Sequence, residues 1–414
     1  MNAFIYYRNP KAALEVIHGE KLVRHQVRNL LETGADKIGI CCEKGSEFDA
    51  ICAEFAGNAQ IIAVSSECDL GTGGYLYIAS QLFDSGYIYI DGSSYFEIAF
   101  SRFEKFHEEH EGALTVFLQN AIDETAPAFG ISESGKVTRI DFGGGEGYFR
   151  SPTRFKGIAY VGETLASTFV GDPEPLDLMT EIIHPTFATG NCYGYRSTEF
   201  VEDVYANPRL EELVEKGLPA QRRLDRKQKC IFLDRDGVLN VFGPFVVEPS
   251  ILKLKDDVVE AVKLINESGY LAVVTTNQPV IAFGETDLLT LEQVHFKLHS
   301  LLNKEGAILD DLYFCPHFPY ARGEHSNMDF VKVCDCRKPG TGMLKKAAER
   351  YNIDFGSSWM VGDTTQDVQT GINAGVKTVL VTTGDPNPRK KFGDAKPDYI
   401  CENLLDAVKN VILK

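Results

Sequence analysis

From residue 230 onward, short apolar runs alternate with longer amphipathic stretches. The runs predict strands at 230–234, 271–276, 311–314, 358–362 and 377–381, and the stretches between them predict helices at 256–268, 290–305, 341–351 and 365–374. Alternation of this kind predicts a parallel sheet with helices on both faces. The first half follows the same rhythm, with strands predicted at 3–7, 37–42, 60–64, 87–91, 113–118 and 157–160 and helices at 21–33, 46–56, 73–83 and 99–109. The fold class expected is α/β in two domains, because 414 residues exceed what one hydrophobic core supports. A polar, basic segment beginning at Pro219 interrupts the pattern, so the domains are read as 1–220 and 230–414, joined by a linker at 221–229.

Composition changes this picture little and charge changes it more. Apolar residues make up 44% and charged residues 24%, as in ordinary globular proteins. A net charge of −17 argues against nucleic acid or an anionic membrane as partner. The N-terminus lacks the basic start of a signal peptide and no long apolar run exists, so a cytoplasmic location is expected. The ten cysteines are then expected as thiols. Cys41, Cys42, Cys52, Cys68, Cys192, Cys230 and Cys401 are scattered and read as small buried hydrophobes.

The candidate chemistry begins where the run Ile231-Phe232-Leu233 ends in Asp234-Arg235-Asp236-Gly237. Residues two apart on a strand point the same way, and two carboxylates so placed are costly without a cation. Mg²⁺ suits such oxygen ligands, and the pairing points to metal-assisted phosphate chemistry. Asp234 is the candidate nucleophile for a covalent carboxyl phosphate, and Asp236 the acid that protonates the leaving oxygen and then activates water. Thr276 and Asn277 supply donors for phosphate oxygens at the next strand end, and Lys338 supplies positive charge. Asp363, in Val361-Gly362-Asp363, completes the Mg²⁺ ligands with Asp234 and the Asp236 carbonyl. In a parallel sheet, ligands bind beyond the carboxyl ends of strands, where Asp234, Thr276 and Asp363 all fall.

A second constellation is Cys315-Pro316-His317, then sixteen residues, then Cys334-Asp335-Cys336. Three thiols and an imidazole in two close pairs suit tetrahedral Zn²⁺ with no open position. Such a structural site would pin residues 318–333 and hold Arg337 and Lys338 beside the catalytic residues.

These stretches, with Cys336-Arg337-Lys338-Pro339 and Thr276-Asn277-Gln278, make residues 230–414 resemble the haloacid dehalogenase (HAD) superfamily of phosphatases. Within it the segment is most similar to the D-glycero-D-manno-heptose 1,7-bisphosphate 7-phosphatases, with histidinol-phosphate phosphatases as near relatives. The resemblance implies Asp234 as nucleophile, Asp236 as acid/base, Asp363 as Mg²⁺ ligand, and Arg337 and Gln278 as substrate contacts. It implies a phosphosugar substrate in surface-polysaccharide precursor synthesis. One departure stands out: Phe283 occupies the place where the family carries a substrate-facing arginine, which should weaken recognition of a second phosphate. The stretch 318–333 is also longer than the family's.

Residues 1–220 resemble sugar-1-phosphate nucleotidyltransferases, a Rossmann-type α/β fold, through Gly19-Glu20-Lys21-Leu22, Leu70-Gly71-Thr72-Gly73-Gly74, Ile90-Asp91-Gly92-Ser93 and Tyr195 to Asp203. The glycine-rich triphosphate loop is missing, since the first strand runs into Tyr6-Tyr7-Arg8-Asn9-Pro10-Lys11. The metal-binding aspartate of a Gly-Asp pair is Ser93, and Asp91 is expected to face the other side of its strand. This domain is read as degenerate, binding a sugar phosphate, a nucleotide or another copy as a homo-oligomer. The rival is an active transferase using Asp91 and Asp203. Gly143 to Gly147 is read as a flexible turn, His107 and His110 as a solvated helix face, and His295 and His299 as surface or substrate-side residues.

Overall fold

The computed structural model describes residues 1–121, 126–142, 151–243, 245–385 and 395–414. They form two compact units. The first comprises Met1–Gln119, Ala126–Phe142 and Thr153–Asp225; the second is Arg226–Lys414, with Asn120, Ala121, Ser151 and Pro152. The division at Asp225/Arg226 falls inside the basic segment 221–229. That segment is built into structure: Arg223 is buried in the first unit, with Nη2 2.7 Å from Asp225 Oδ2 and Nη1 3.5 Å from Glu97 Oε2.

In the first unit, β1 (Asn2–Tyr7) lies between β2 (Lys37–Glu43) and β4 (Tyr87–Asp91), both parallel to it, and β3 (Ile61–Ser66) follows β2. Thr153–Val161 joins β4 antiparallel, so the sheet is mixed. Buried residues alternate along β1, with Ala3, Ile5 and Tyr7 in one cluster and Phe4 and Tyr6 in the other. Both faces of this strand are therefore covered, which is why it reads as a continuous apolar run.

The second unit holds a parallel sheet in the order β7 (Asp311–Cys315), β6 (Tyr270–Asn277), β5 (Lys229–Leu233), β8 (Trp359–Gly362), β9 (Lys377–Val381), β10 (Tyr399–Cys401). Its helices include α1 (Val258–Glu267), α2 (Leu288–Lys304), α3 (Gly342–Tyr351) and α4 (Thr365–Ala374). Ile231 and Leu233 of β5 share a core with Val258, Ala261, Val262 and Ile265 of α1 and Val294, Leu298 and Leu302 of α2. Leu233 registers with Val274 on one side and Val361 on the other. β5 and β8 end within one residue of each other while β6 runs three residues further, to Asn277, and the polar residues at these ends emerge at one edge. The doubly flanked parallel sheet predicted from the sequence is present.

All ten cysteines are free thiols. Cys41, Cys42, Cys192, Cys230 and Cys401 are buried as expected, but Cys52 is half-buried and Cys68 exposed. The glycine cluster 143–147 lies outside the described residues. Among the described residues, no helix is long and apolar enough to cross a membrane.

Candidate active site

The chain leaves β5 with Asp234 still in the ladder, its N–H donating to Val361 O at 3.0 Å. It then turns at Gly237, which sits at φ +83°. A Cβ there would lie 2.0 Å from Asp363 Oδ2, so only glycine lets the turn and this carboxylate meet. The loop after β8 delivers Asp363 and then starts α4 with a capping box. Asp367 Oδ2 accepts from the Thr364 N–H at 3.2 Å and from its hydroxyl at 2.6 Å. Gly362 permits this, since a Cβ there would lie 2.1 Å from Asp367 Cβ.

Lys338 joins the two strand ends. Its Nζ lies 2.9 Å from Asp234 Oδ1 and 2.5 Å from Asp367 Oδ1, and the side chain is buried. Asn277 fixes the lysine's backbone, accepting from its N–H at 3.0 Å and donating to its carbonyl at 3.3 Å. Asp234, Asp363 and Asp367 present carboxylate oxygens within 4.8 Å of one another. Asp367 is absent from the sequence reading. Its signal there is Thr-x-x-Asp directly after a strand, a helix-start pattern that hides a site carboxylate.

Asp236 is held differently. Arg235 folds back on it as a fork, with Nη2 at 2.8 and 2.9 Å from its two carboxylate oxygens and Nε at 3.1 Å from Oδ1. Gln278 Nε2 donates to Oδ2 at 2.8 Å and Asn240 Nδ2 to Oδ1 at 3.0 Å. Gln278 Nε2 also reaches Thr276 Oγ1 at 2.9 Å. Asp234, Asp236, Thr276, Asn277, Gln278, Lys338 and Asp363 are therefore linked at one sheet edge.

The electrostatics separate the carboxylates. Burial pushes Asp234 up to about 6, with Lys338 opposing and Asp367 and Asp236 adding to the rise. Burial, then Asp234 and Asp367, push Asp363 up to about 8. Burial also acts on Asp236, but the Arg235 charge and fork outweigh it and leave that carboxyl below its ordinary range. Burial works against the Lys338 ammonium, and its two carboxylates more than restore it. Four carboxylates face two cations, Lys338 and Arg235, which leaves the cluster two negative charges in excess when all are ionised. An all-oxygen donor set with that excess fits a hard divalent cation.

The second constellation also assembles. The Cys336 sulfur lies 3.3 Å from that of Cys315 and 3.2 Å from that of Cys334, while Cys315 and Cys334 are 3.6 Å apart. His317 Nδ1 is 3.3 Å from the Cys336 sulfur and 3.7 Å from that of Cys315. Ligands on a tetrahedron of about 2.3 Å Zn–S bonds stand roughly 3.7 Å apart, so the residues fit zinc. Backbone bonds tie the loop between the pairs: Lys332 N donates to Phe318 O at 2.9 Å and Asn327 N to Ala282 O at 3.0 Å.

Arg337 is held by the loop it follows. Its Nη1 donates to His317 O at 3.1 Å, and its guanidinium stands 4.7 Å over the Phe318 ring. Phe318 meets Phe283 edge-on at 4.9 Å, and Arg322 lies 4.8 Å over Phe283. The aromatic at 283 thus carries a guanidinium from the long 318–333 segment.

Three expectations are corrected. Asp91 does not face away from Ser93. The strand ends at Asp91, alternation stops there, and Asp91 Oδ1 accepts from the Ser93 N–H at 3.0 Å and hydroxyl at 2.9 Å. The same hydroxyl lies 2.8 Å from Asp203 Oδ2. His107 is not solvated: it is buried, bonded to Thr115 Oγ1 at 2.8 Å and stacked on Tyr160 at 4.0 Å. His295 and His299 are neither surface nor open to substrate, at 6% and 4% exposure. A neutral imidazole packs like an aromatic, which a reading by polarity overlooks.

A HAD-hydrolase-like family model matches residues 335–407. The D-glycero-beta-D-manno-heptose-1,7-bisphosphate 7-phosphatase of Haemophilus ducreyi is 38% identical over 186 residues, covering 44% of this chain and 98% of that protein. The crystal structure of a D,D-heptose 1,7-bisphosphate phosphatase from B. bronchiseptica, complexed with magnesium and phosphate, is 32% identical, covering 44% of this chain and 96% of its own, with a TM-score of 0.38. HddC from Yersinia pseudotuberculosis is 15% identical, covering 51% of this chain and 97% of its own, with a TM-score of 0.42. That last likeness carries no functional weight.

Proposed function

Because the chain belongs, through its second unit, to the HAD-type D-glycero-beta-D-manno-heptose-1,7-bisphosphate 7-phosphatase family, we propose that it removes the 7-phosphate from a heptose 1,7-bisphosphate or a closely related sugar phosphate. It is a phosphoric monoester hydrolase. The product would feed surface-polysaccharide precursor synthesis. The observation that carries this reading is the buried Lys338 ammonium bridging Asp234 and Asp367 beside Asp363.

Asp234 attacks phosphorus, forming an aspartyl phosphate as the bond to the sugar oxygen breaks. Asp236 gives its proton to that oxygen. Water then attacks the phosphoryl group, returns a proton to Asp236, and frees inorganic phosphate and Asp234. Asp236 rests ionised under the Arg235 fork, and a phosphate dianion arriving beside it raises its affinity for the proton it must carry. Lys338 and the Thr276 hydroxyl face the charge that develops on the phosphoryl oxygens. Asp234, Asp363 and Asp367, with the Asp236 carbonyl, would hold Mg²⁺, which supplies charge neutralisation at the phosphoryl oxygens. Cys315, His317, Cys334 and Cys336 would hold a structural Zn²⁺ that shapes the loop on the substrate side.

The test is a phosphate-release screen over heptose, hexose and amino-alcohol phosphates with Asp234→Asn as control. Heptose bisphosphate turnover should lead, and the variant should lose it by at least about 10³-fold. Beryllium fluoride should modify only the aspartate form. A variant that still turns over refutes the covalent route, and a preference for an amino-alcohol phosphate refutes the substrate.

For the first unit the proposal is a binding or self-association module. One observation favours the rival transferase: a single Ser93 hydroxyl proton cannot satisfy both Asp91 and Asp203, so these carboxylates sit where a cation would join them. Pyrophosphate release from nucleoside triphosphate and sugar 1-phosphate, lost in Asp203→Ala, would establish the rival.

A further inference from the structure

Arg235 is among the largest fully buried side chains of the protein. Three of its contacts go to Asp236. The remaining one is Nη1, 3.3 Å from His295 Nε2 on α2. A guanidinium only donates, so His295 must accept, with its ring neutral and its own hydrogen on Nδ1. Burial and the neighbouring guanidinium hold the ring well below its ordinary proton affinity, in agreement with that assignment. The ring is wedged against Phe314 at 5.1 Å between centroids.

We infer that His295 is a positioning residue for phosphoryl transfer: by accepting the outer N–H of Arg235, it aims the guanidinium fork at Asp236. Without an acceptor, one N–H of a buried cation is left unsatisfied, and the guanidinium gains by turning toward another partner. Such a turn takes the fork off Asp236. The carboxylate then keeps Gln278 and Asn240 but loses the contact that sets its angle. The backbone N–H of Arg235 donates to Asp234 Oδ1 at 2.7 Å, so the main chain anchors this arginine to the nucleophile while His295 anchors its far end. The inference rests on reading Asp236 as the proton donor to the leaving oxygen.

The full chain with His295→Asn, His295→Leu and His295→Gln separates this role from a packing role. Asparagine is polar but too short to reach Nη1, leucine removes the acceptor, and glutamine's side-chain oxygen can replace it. Each is assayed on a sugar phosphate, whose alkoxide needs a proton to leave, and on 2,4-dinitrophenyl phosphate, whose leaving group needs none. The Asn and Leu variants should lose about ten- to a hundredfold in kcat on the sugar phosphate, part of what general acid catalysis supplies. They should lose less than about threefold on the aryl ester, with KM little changed, and the Gln variant should recover most of the loss. Equal losses on both esters, or no loss in Asn with the fold intact by circular dichroism, overturn the inference. Asp236→Asn is the companion. If it is selective for the sugar phosphate while His295→Asn is not, the inference alone fails. If it loses both esters equally, the reading of Asp236 fails and takes the inference with it.

Discussion

Asp367 answers two demands with one carboxylate: Oδ2 caps the first turn of α4 and Oδ1 holds the Lys338 ammonium. Asp367→Asn keeps the shape and part of the cap but removes the charge. Turnover should fall about 10²-fold, with a raised Mg²⁺ requirement read by titrating the ion in steady-state assays. The thermal midpoint should move only as far as a lost cap allows, about 1 kcal/mol. A variant with unchanged ion dependence would remove Asp367 from the site. In the first unit, burial pushes His107 down to about 4 from an ordinary 6.5. A depressed histidine supports the fold fully above its unfolded value and withdraws that support as pH falls from about 6.5 toward 4. The full effect is about 3 kcal/mol. His107→Phe keeps the ring on Tyr160 but cannot take the proton, so urea midpoints between pH 7 and 4.5 should fall less steeply for the variant than for the parent.

At the scale of elements, the sequence announces whatever is periodic or abrupt. The run Cys230–Leu233 ending in Asp-Arg-Asp-Gly places Asp234 at a strand end because β5 is buried on both faces, and the break to charge can only be its end. The Cys-x-His and Cys-x-Cys pairs are legible because few other contexts need that spacing. What stays hidden is held by single long-range contacts. Arg235 reads as a strand-end charge and is fully buried; its partner His295 lies sixty positions along the chain. Arg322, which covers Phe283, comes from a segment whose length alone drew notice. On the zinc proposal, the tetrad pins that segment. Cys336→Ala should yield protein with less than one zinc per chain by elemental analysis, a lower thermal midpoint and a several-fold rise in KM for the sugar phosphate, since the loop and the Arg337–Lys338 turn loosen together. Full zinc content in the variant would remove the tetrad as its ligand set.

Across the whole molecule, 44% of the chain aligns with 98% of a heptose-bisphosphate phosphatase, so more than half of the chain, most of it the first α/β unit, is additional to what that relative contains. The chain passes between the two units more than once: Asn120 and Ala121, then Ser151 and Pro152, belong with the second unit before the last crossing at Asp225/Arg226. Covalent continuity fixes the stoichiometry of the two units at one to one whatever the expression level. If the first unit binds a sugar phosphate or nucleotide as proposed, tethering would hold that ligand at an effective concentration of about millimolar for the hydrolase, far above its free level in dilute solution. An intact chain should therefore outpace an equimolar mixture of its halves at micromolar protein and limiting substrate. Equal rates would mean that the tether passes nothing along.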